Sequence, residues 1–273
     1  MPRITVNAAE LHVEVGGEGV PILGLHGTPS SAVMWEPAAA ELARHGRCIT
    51  YDRRGFLRSP TEPAAVPVDL RDHVDDALAL LDALDAVPAI VIGRSTGGLI
   101  ALELAIREPR AVRALVLLEP AVFTLDDADR AWADALRHRV LDAEARDPSI
   151  VAETVIRDAL GDATWNALPA ALREMFAGTN DGTRAELHGA GMDLSARPRT
   201  FDAAELAALA TPTLIVAATD SPEPLRRGTA RLAELIPSAE FARVPGGHLI
   251  DPAGEAVLDF VDRHITGGTR AVG

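Results

Sequence analysis

The sequence predicts an α/β protein whose mostly parallel sheet is flanked by helices on both faces and carries a helical insertion late in the chain. Three observations lead there. The 273 residues are 48% hydrophobic and 24% charged, enough to close one core near the size at which single cores stop growing. Short apolar β-type runs alternate with segments of helical period. From about Val122 to Glu205 the alternation stops, and helix-period segments follow one another with no strand between them.

Ile4 to Val6 and Leu11 to Val15 read as hairpin strands, and Gly16-Gly17-Glu18-Gly19 turns the chain into a strand from Val20 to Leu25. Because this glycine cluster joins two strands instead of opening a helix, it reads as a turn and not as a phosphate-binding loop. Trp35 to Arg44 reads as a helix and Arg47 to Tyr51 as a buried strand. Between Asp69 and Asp85, Leu70, Val74, Leu78, Leu81 and Leu84 recur at helical spacing with acidic residues on the other face, so this is an amphipathic helix. A strand from Ala89 to Ile92, a glycine-flanked turn, a helix through Ile106 and a strand from Val112 to Leu118 continue the βαβ rhythm.

Within the insertion, breaks are expected at Asp147-Pro148, Gly161-Asp162, Thr179-Asn180-Asp181-Gly182 and Arg197-Pro198. Asp126, Asp127 and Asp129 lack the glycine and distal glutamate of a calcium loop and suit the start of a helix capped near Thr124. The sheet resumes with Pro212 to Ala217, a helix ending near Ile236, a strand around Glu240 to Val244 and a terminal helix from about Pro252 to His264; Thr266 to Gly273 read as frayed. The expected division is a core of residues 1–121 and 206–273 and a helical cap of residues 122–205.

Composition excludes several chemistries. The formal net charge is −14, so a polyanion is repelled and nucleic acid is not an expected partner. Every basic residue is arginine, which removes Schiff-base lysines, phosphate-loop lysines and Ser-Lys dyads. Cys48 is the single cysteine, sits in an apolar run, and reads as a core thiol; neither a disulfide nor a cysteine metal cluster can form within the chain. No metal or cofactor is expected. The stretch Met1 to Asn7 lacks the apolar run of a signal peptide and no later run has membrane-spanning length, so the expectation is a cytoplasmic protein without membrane partners, with a homodimer left open.

The chemistry centres on Ile90-Val91-Ile92-Gly93-Arg94-Ser95-Thr96-Gly97-Gly98-Leu99: a buried strand, a G-x-S-x-G turn, then a helix. A serine on such a turn stands exposed above the carboxyl edge of the sheet, with small residues either side to relieve crowding. Its hydroxyl is a weak nucleophile until a base takes its proton. His248, in Val244-Pro245-Gly246-Gly247-His248-Leu249, follows a short strand on a glycine-rich loop that can lean across that edge, and is the preferred base.

Together with Leu25-His26-Gly27-Thr28-Pro29 and Tyr51-Asp52-Arg53-Arg54-Gly55, these motifs make nearly the whole chain resemble an α/β-hydrolase superfamily member with a helical cap. The resemblance implies an oxyanion hole from the backbone N–H groups of Thr28 and Thr96, a structural His26, and a loop-tying role for Asp52, Arg53 and Arg54. It also implies a third triad member after the nucleophile. Many relatives carry an aspartate beyond the strand ending at Ala217, but Asp220 falls one residue short of that place, which Ser221 holds. Glu119, directly after Leu115 to Leu118 and before Pro120, is preferred, with Pro120 expected to hold it extended; Asp220 is the alternative.

The expected function is hydrolysis of a carboxylic ester or lactone of a small, largely apolar substrate through an acyl-enzyme on Ser95. Trp132 and Trp165 are candidate substrate contacts in the cap, although their helical spacing favours internal core for each, and Arg94 is a candidate either for an acidic substrate or for bracing the cap. Rivals are a C–C bond hydrolase, a thioesterase, acyl-transfer or cyclising enzyme of natural-product metabolism, a perhydrolase, and a ligand-binding receptor on the same fold. Dehalogenase and epoxide-hydrolase chemistry is disfavoured, because relatives of that kind have an aspartate where this chain has Ser95.

Overall fold

The eight strands form one sheet in the order β1-β2-β4-β3-β5-β6-β7-β8, described by a computed structural model that covers residues 3–266. The strands are β1 (Arg3–Val6), β2 (Ala9–Gly16), β3 (Pro21–Leu25), β4 (Arg47–Tyr51), β5 (Ala89–Arg94), β6 (Val112–Leu118), β7 (Thr213–Ala218) and β8 (Glu240–Val244). β1 and β2 form the expected antiparallel hairpin, β2 pairs antiparallel with β4, and every later pairing is parallel. The central strands β5, β6 and β7 read as near-continuous Val, Ile, Leu and Ala because helices cover both of their faces.

Side-chain alternation divides the core into two layers. On one face, Val91, Leu115 and Leu117 pack with Val74 and Leu81 of α2 (Leu70–Ala83), Leu102 and Leu104 of α3 (Thr96–Arg107) and Leu232 of α10 (Glu223–Leu235). On the other, Ile90, Ile92 and Val116 pack with Leu42 of α1 (Glu36–Leu42) and Val257, Phe260 and Val261 of α11 (Glu255–Thr266). Each fully buried Leu, Ile or Phe contributes roughly 1.5–3 kcal/mol, so these layers hold the sheet edge that carries the site.

Between β6 and β7 the chain is helical: α4 (Asp127–Arg146), α5 (Val151–Leu160), α6 (Asp162–Ala167), α7 (Ala170–Ala177), α8 (Asn180–His188) and α9 (Ala203–Ala207). Much of their packing is among themselves: Leu136 and Val140 of α4 meet Val151 and Val155, and Ile156 meets Trp165, Met175 and Phe176, while Leu206 of α9 joins the core of the sheet.

Several boundaries differ from the sequence reading for local reasons. The helix expected from Trp35 begins as a 3₁₀ turn, Ala32–Trp35, capped by Ser31 Oγ accepting from the Val33 N–H, and Pro37 sits in the first turn of α1. α11 starts at Glu255 because Asp251 holds the preceding turn through the Ala253 N–H. Asp126, not Thr124, caps α4, accepting from Ala128 and Asp129, while the Thr124 hydroxyl donates to Arg199 O. The break expected over Thr179 to Gly182 falls at Gly178 and Thr179, between α7 and α8, and Gly182 lies inside α8, where a Cβ would sit 2.6 Å from the Phe56 ring. Residues 267–273, most of the tail expected to fray, lie outside the described residues. No helix among the described residues is long and apolar enough to cross a membrane.

Candidate active site

Ser95 occupies the tight turn between β5 and α3, at φ 56° and ψ −124°, a conformation that costs an ordinary residue of order 1–3 kcal/mol. The surroundings impose it. Its N–H donates to Leu118 O at 3.0 Å, and its carbonyl accepts from Gly98 and Ala121 at 2.8 and 3.1 Å. The turn closes because two neighbours lack side chains: a Cβ on Gly93 would meet Gly97 O at 2.3 Å, and one on Gly97 would meet Leu25 O at 2.2 Å.

Glu119 follows β6, one strand over, with its N–H on Val216 O at 3.0 Å, so the ladder from β5 through β6 to β7 fixes both residues. Its φ is +42°, so it is not extended as Pro120 led one to expect; three side-chain hydrogen bonds and the ladder outweigh the preference imposed by the following proline. Glu119 is fully buried and satisfied: Oε1 accepts from the Ala218 N–H at 2.8 Å, and Oε2 accepts from Ser221 Oγ at 2.7 Å and faces His248 Nδ1 at 2.8 Å. Asp220 is exposed and makes only a backbone bond near the site, its N–H donating to Gly246 O at 2.9 Å. The structure therefore brings Glu119 to His248 and leaves the Asp220 carboxylate outside. Gly246, at φ +96°, lets the loop after β8 turn back to place His248.

Ser95 and His248 line the same pocket at the carboxyl edge of the sheet without a direct hydrogen bond between them, a looseness common in unliganded sites. The pocket has two lobes, each of about 60 Å³, that share Thr28, Pro29, Ser95, Ile156, Leu160 and His248. One lobe extends to Phe123, Trp132, Leu136, Val155, Asp193 and Leu225. The other extends to Ser30, Arg94, Thr164, Leu168, Phe176 and Leu249.

Trp132 thus lines the site, with its ring 5.2 Å from that of Phe123. Trp165 does not: it is 5% exposed and packs on Phe176 at 6.3 Å, because its face of α6 is turned into the cap core. Arg94 lines the pocket and donates at 3.3 Å to Ile250 O, on the loop after His248.

Thr96 opens α3, where first-turn N–H groups have no carbonyl one turn back, and the Thr28 N–H has no acceptor among the described residues. A clamp not foreseen from sequence holds Thr28. Glu186 of α8 accepts from Thr28 Oγ1 at 2.6 Å and from His73 at 2.8 Å and is ion-paired with Arg53; Arg53 also donates to Thr28 Oγ1 at 2.6 Å. Burial pushes the Glu186 carboxyl up, but the Arg53 guanidinium and the His73 and Thr28 bonds prevail and hold it at about 2.

His26 is spent structurally. Its Nδ1 bonds Gly27 O at 2.8 Å and its Nε2 accepts from the Arg53 N–H at 3.0 Å, and burial followed by Arg53 holds it well below the ordinary imidazole range. Asp52 accepts from the Ala32 and Arg58 N–H groups, and Arg54 pairs with Asp76, so this stretch ties the loops beneath the pocket. Asp193, which accepts from Thr96 Oγ1 at 3.3 Å, is pushed up to about 7 by burial and then by Glu186. Among the described residues no cluster of three or more His, Cys, Asp or Glu side chains could hold a metal ion.

A family model described as the alpha/beta hydrolase fold matches residues 20–250. A putative carbamate hydrolase of Variovorax paradoxus (strain S110) is 32% identical over 266 residues, covering 93% of this chain and 96% of that protein. A 2-hydroxymuconate semialdehyde hydrolase of Pseudomonas sp. (strain CF600) is 36% identical over 145 residues, covering 50% of this chain and 51% of its own. Among solved structures, a thermophilic esterase from Thermogutta terrifontis superposes with TM-score 0.78 at 23% identity, covering 97% of this chain and 100% of its own. An N-acyl homoserine lactone degrading enzyme superposes with TM-score 0.72 at 22% identity, covering 97% of this chain and 99% of its own.

Proposed function

This chain belongs to the alpha/beta hydrolase family, and from that premise we propose that it is a serine hydrolase cleaving a small carboxylic ester or lactone through an acyl-enzyme on Ser95. The observation that carries the reading is the 2.8 Å contact between Glu119 Oε2 and His248 Nδ1 at the rim of the pocket that Ser95 lines. A buried carboxylate on Nδ1 fixes the imidazole so that Nε2 faces the pocket as a base and stabilises the ring once it is protonated.

In the first half-reaction Ser95 Oγ attacks the substrate carbonyl carbon while His248 takes the hydroxyl proton. The N–H groups of Thr28 and Thr96 hold the developing oxyanion, and the Arg53–Glu186 clamp keeps the Thr28 loop in place for it. The C–O bond then breaks and His248 gives its proton to the leaving alcohol. In the second half-reaction His248 draws a proton from water, water adds to the acyl carbon, and Ser95 leaves with the proton returned. The two lobes on either side of Ser95 suit the acyl and alcohol portions.

Carbamates undergo the same acyl transfer, and the relative named as a putative carbamate hydrolase adds them to the substrate class. Initial rates on a panel of esters, lactones, thioesters and carbamates, with wild type and Ser95→Ala, test the reading. Ester or lactone turnover that vanishes in a folded Ser95→Ala supports it; turnover unchanged in that variant overturns it.

A further inference from the structure

Arg94 is an anomaly among the buried charges. Arg53, fully buried, is matched by Glu186, but Arg94, 5% exposed, makes a single 3.3 Å bond to a backbone carbonyl and has no carboxylate partner. The one acidic group that pulls on it is Asp251, from a distance, while burial draws the guanidinium down to about 10. A guanidinium carries five N–H donors, and among the described residues only one nitrogen of Arg94 has an acceptor, so most of its donors are left for a ligand in the lobe that it lines.

The setting points to where such a ligand sits. Arg94 directly precedes Ser95 in the chain, and both line the lobe that includes Ser30 and Phe176. Ser30 is 6% exposed and its Oγ has no hydrogen-bond partner, a second unanswered polar group on an otherwise largely apolar wall. The opposite lobe has no arginine among its lining residues and carries Asp193, whose carboxyl burial and Glu186 push up to about 7. With a formal net charge of −14, the protein surface as a whole repels small anions, so selecting one requires a local cation.

Resting on the hydrolase reading, we propose that the Arg94–Ser30 lobe is a carboxylate receptor and that the substrate is an acid-bearing ester: its carboxylate lies on Arg94, its scissile carbonyl at Ser95, and its apolar part toward Trp132. Arginine suits this role because its planar fork donates to both carboxylate oxygens at once. The receptor fixes which end of the substrate enters which lobe.

The test compares two methyl esters of the same shape, monomethyl succinate, which carries a carboxylate, and methyl isocaproate, which carries an isopropyl group in its place. Hydrolysis is followed by proton release at constant neutral pH. The wild type is expected to show kcat/KM at least about tenfold higher on the anion, and Arg94→Met to erase that ratio, the size expected for losing a hydrogen-bonded charge. Arg94→Lys, which keeps the charge without the fork, is expected to restore part of it. The wild-type ratio needs no variant, so misfolding of Arg94→Met leaves the test decisive. Hydrolysis of isocaproate as fast as or faster than succinate, or of neither ester by a protein that turns over the wider panel, overturns this inference alone, whereas turnover that persists unchanged in Ser95→Ala overturns the hydrolase reading with it.

Discussion

Ser221 Oγ donates at 2.7 Å to Glu119 Oε2, the same oxygen that faces His248 Nδ1 at 2.8 Å. Ser221 stands one residue beyond Asp220, on the loop after β7, and its hydroxyl bonds the carboxylate at the end of the neighbouring strand β6. Ser221→Ala removes one of three donors to a buried carboxylate, and a lost bond to a charged group is worth about 1.5–3 kcal/mol. The expected result is kcat lower by roughly ten- to a hundredfold with KM nearly unchanged; an unchanged kcat would show that Ala218 and His248 suffice to place Glu119.

Glu119 and Asp220 are told apart by isosteric variants. Glu119→Gln leaves His248 without its carboxylate and is expected to lower kcat by about 10³- to 10⁴-fold, by the measure of triads in general. Asp220→Asn alters an exposed side chain and is expected to stay within a few-fold of wild type. Steady-state kinetics on the two folded variants check the ranking, and the reverse order would move the acid to Asp220.

Much of this was legible in the sequence because it is local. The Ser95 turn shows itself through Gly93 and Gly97, whose missing side chains let backbone approach backbone. Arg47–Tyr51 and Val112–Leu118 were bounded correctly because an apolar run between turn residues has few other readings. The Glu186 clamp was not legible, since Thr28 and Glu186 are 158 residues apart and only folding brings the cap onto the loop. Trp132 and Trp165 could not be told apart, because helical spacing favours core for both without saying which face also meets the pocket, and the structure puts only Trp165 wholly in core.

The buried clamp makes stability pH-dependent on the acid side. His26 and His73 are held below their ordinary 6.5, by burial and then Arg53, so the unfolded chain binds protons there that the folded chain refuses. Stability therefore falls as pH drops below about 6.5, by up to ~1.4 kcal/mol per pH unit for each such group. Glu186, held at about 2 against an ordinary 4.5, adds a loss as pH falls from about 4.5 toward 2. Denaturant unfolding of Asp193→Asn, which lacks the opposing titration of that carboxyl, is expected to show a steady decline from pH 7 to pH 3; a flat curve between pH 7 and pH 4 in that variant would remove the neutral buried histidines from the explanation.

Asp193 acts in the opposite direction. Its carboxyl, ordinarily at 3.8, is raised to about 7 by burial and by Glu186, so the folded state favours its neutral form. Between those values the unfolded chain loses a proton that the folded chain keeps, and stability falls as pH rises. Asp193→Asn is thus expected to gain on wild type as pH climbs from about 4 to about 7, with a constant difference above that. Thermal or denaturant midpoints of the two proteins check this, and a difference independent of pH would place the Asp193 titration elsewhere.

The central claim is that Ser95 is a nucleophile activated by His248. Intact-mass measurement and peptide mapping after treatment with a fluorophosphonate test it most directly, because this reagent phosphonylates a hydroxyl only where a neighbouring base draws off its proton. The expected result is one adduct on Ser95 in folded wild type, slowed strongly in His248→Ala and absent from Ser95→Ala. No adduct in folded wild type, or an adduct that persists in Ser95→Ala, would contradict it.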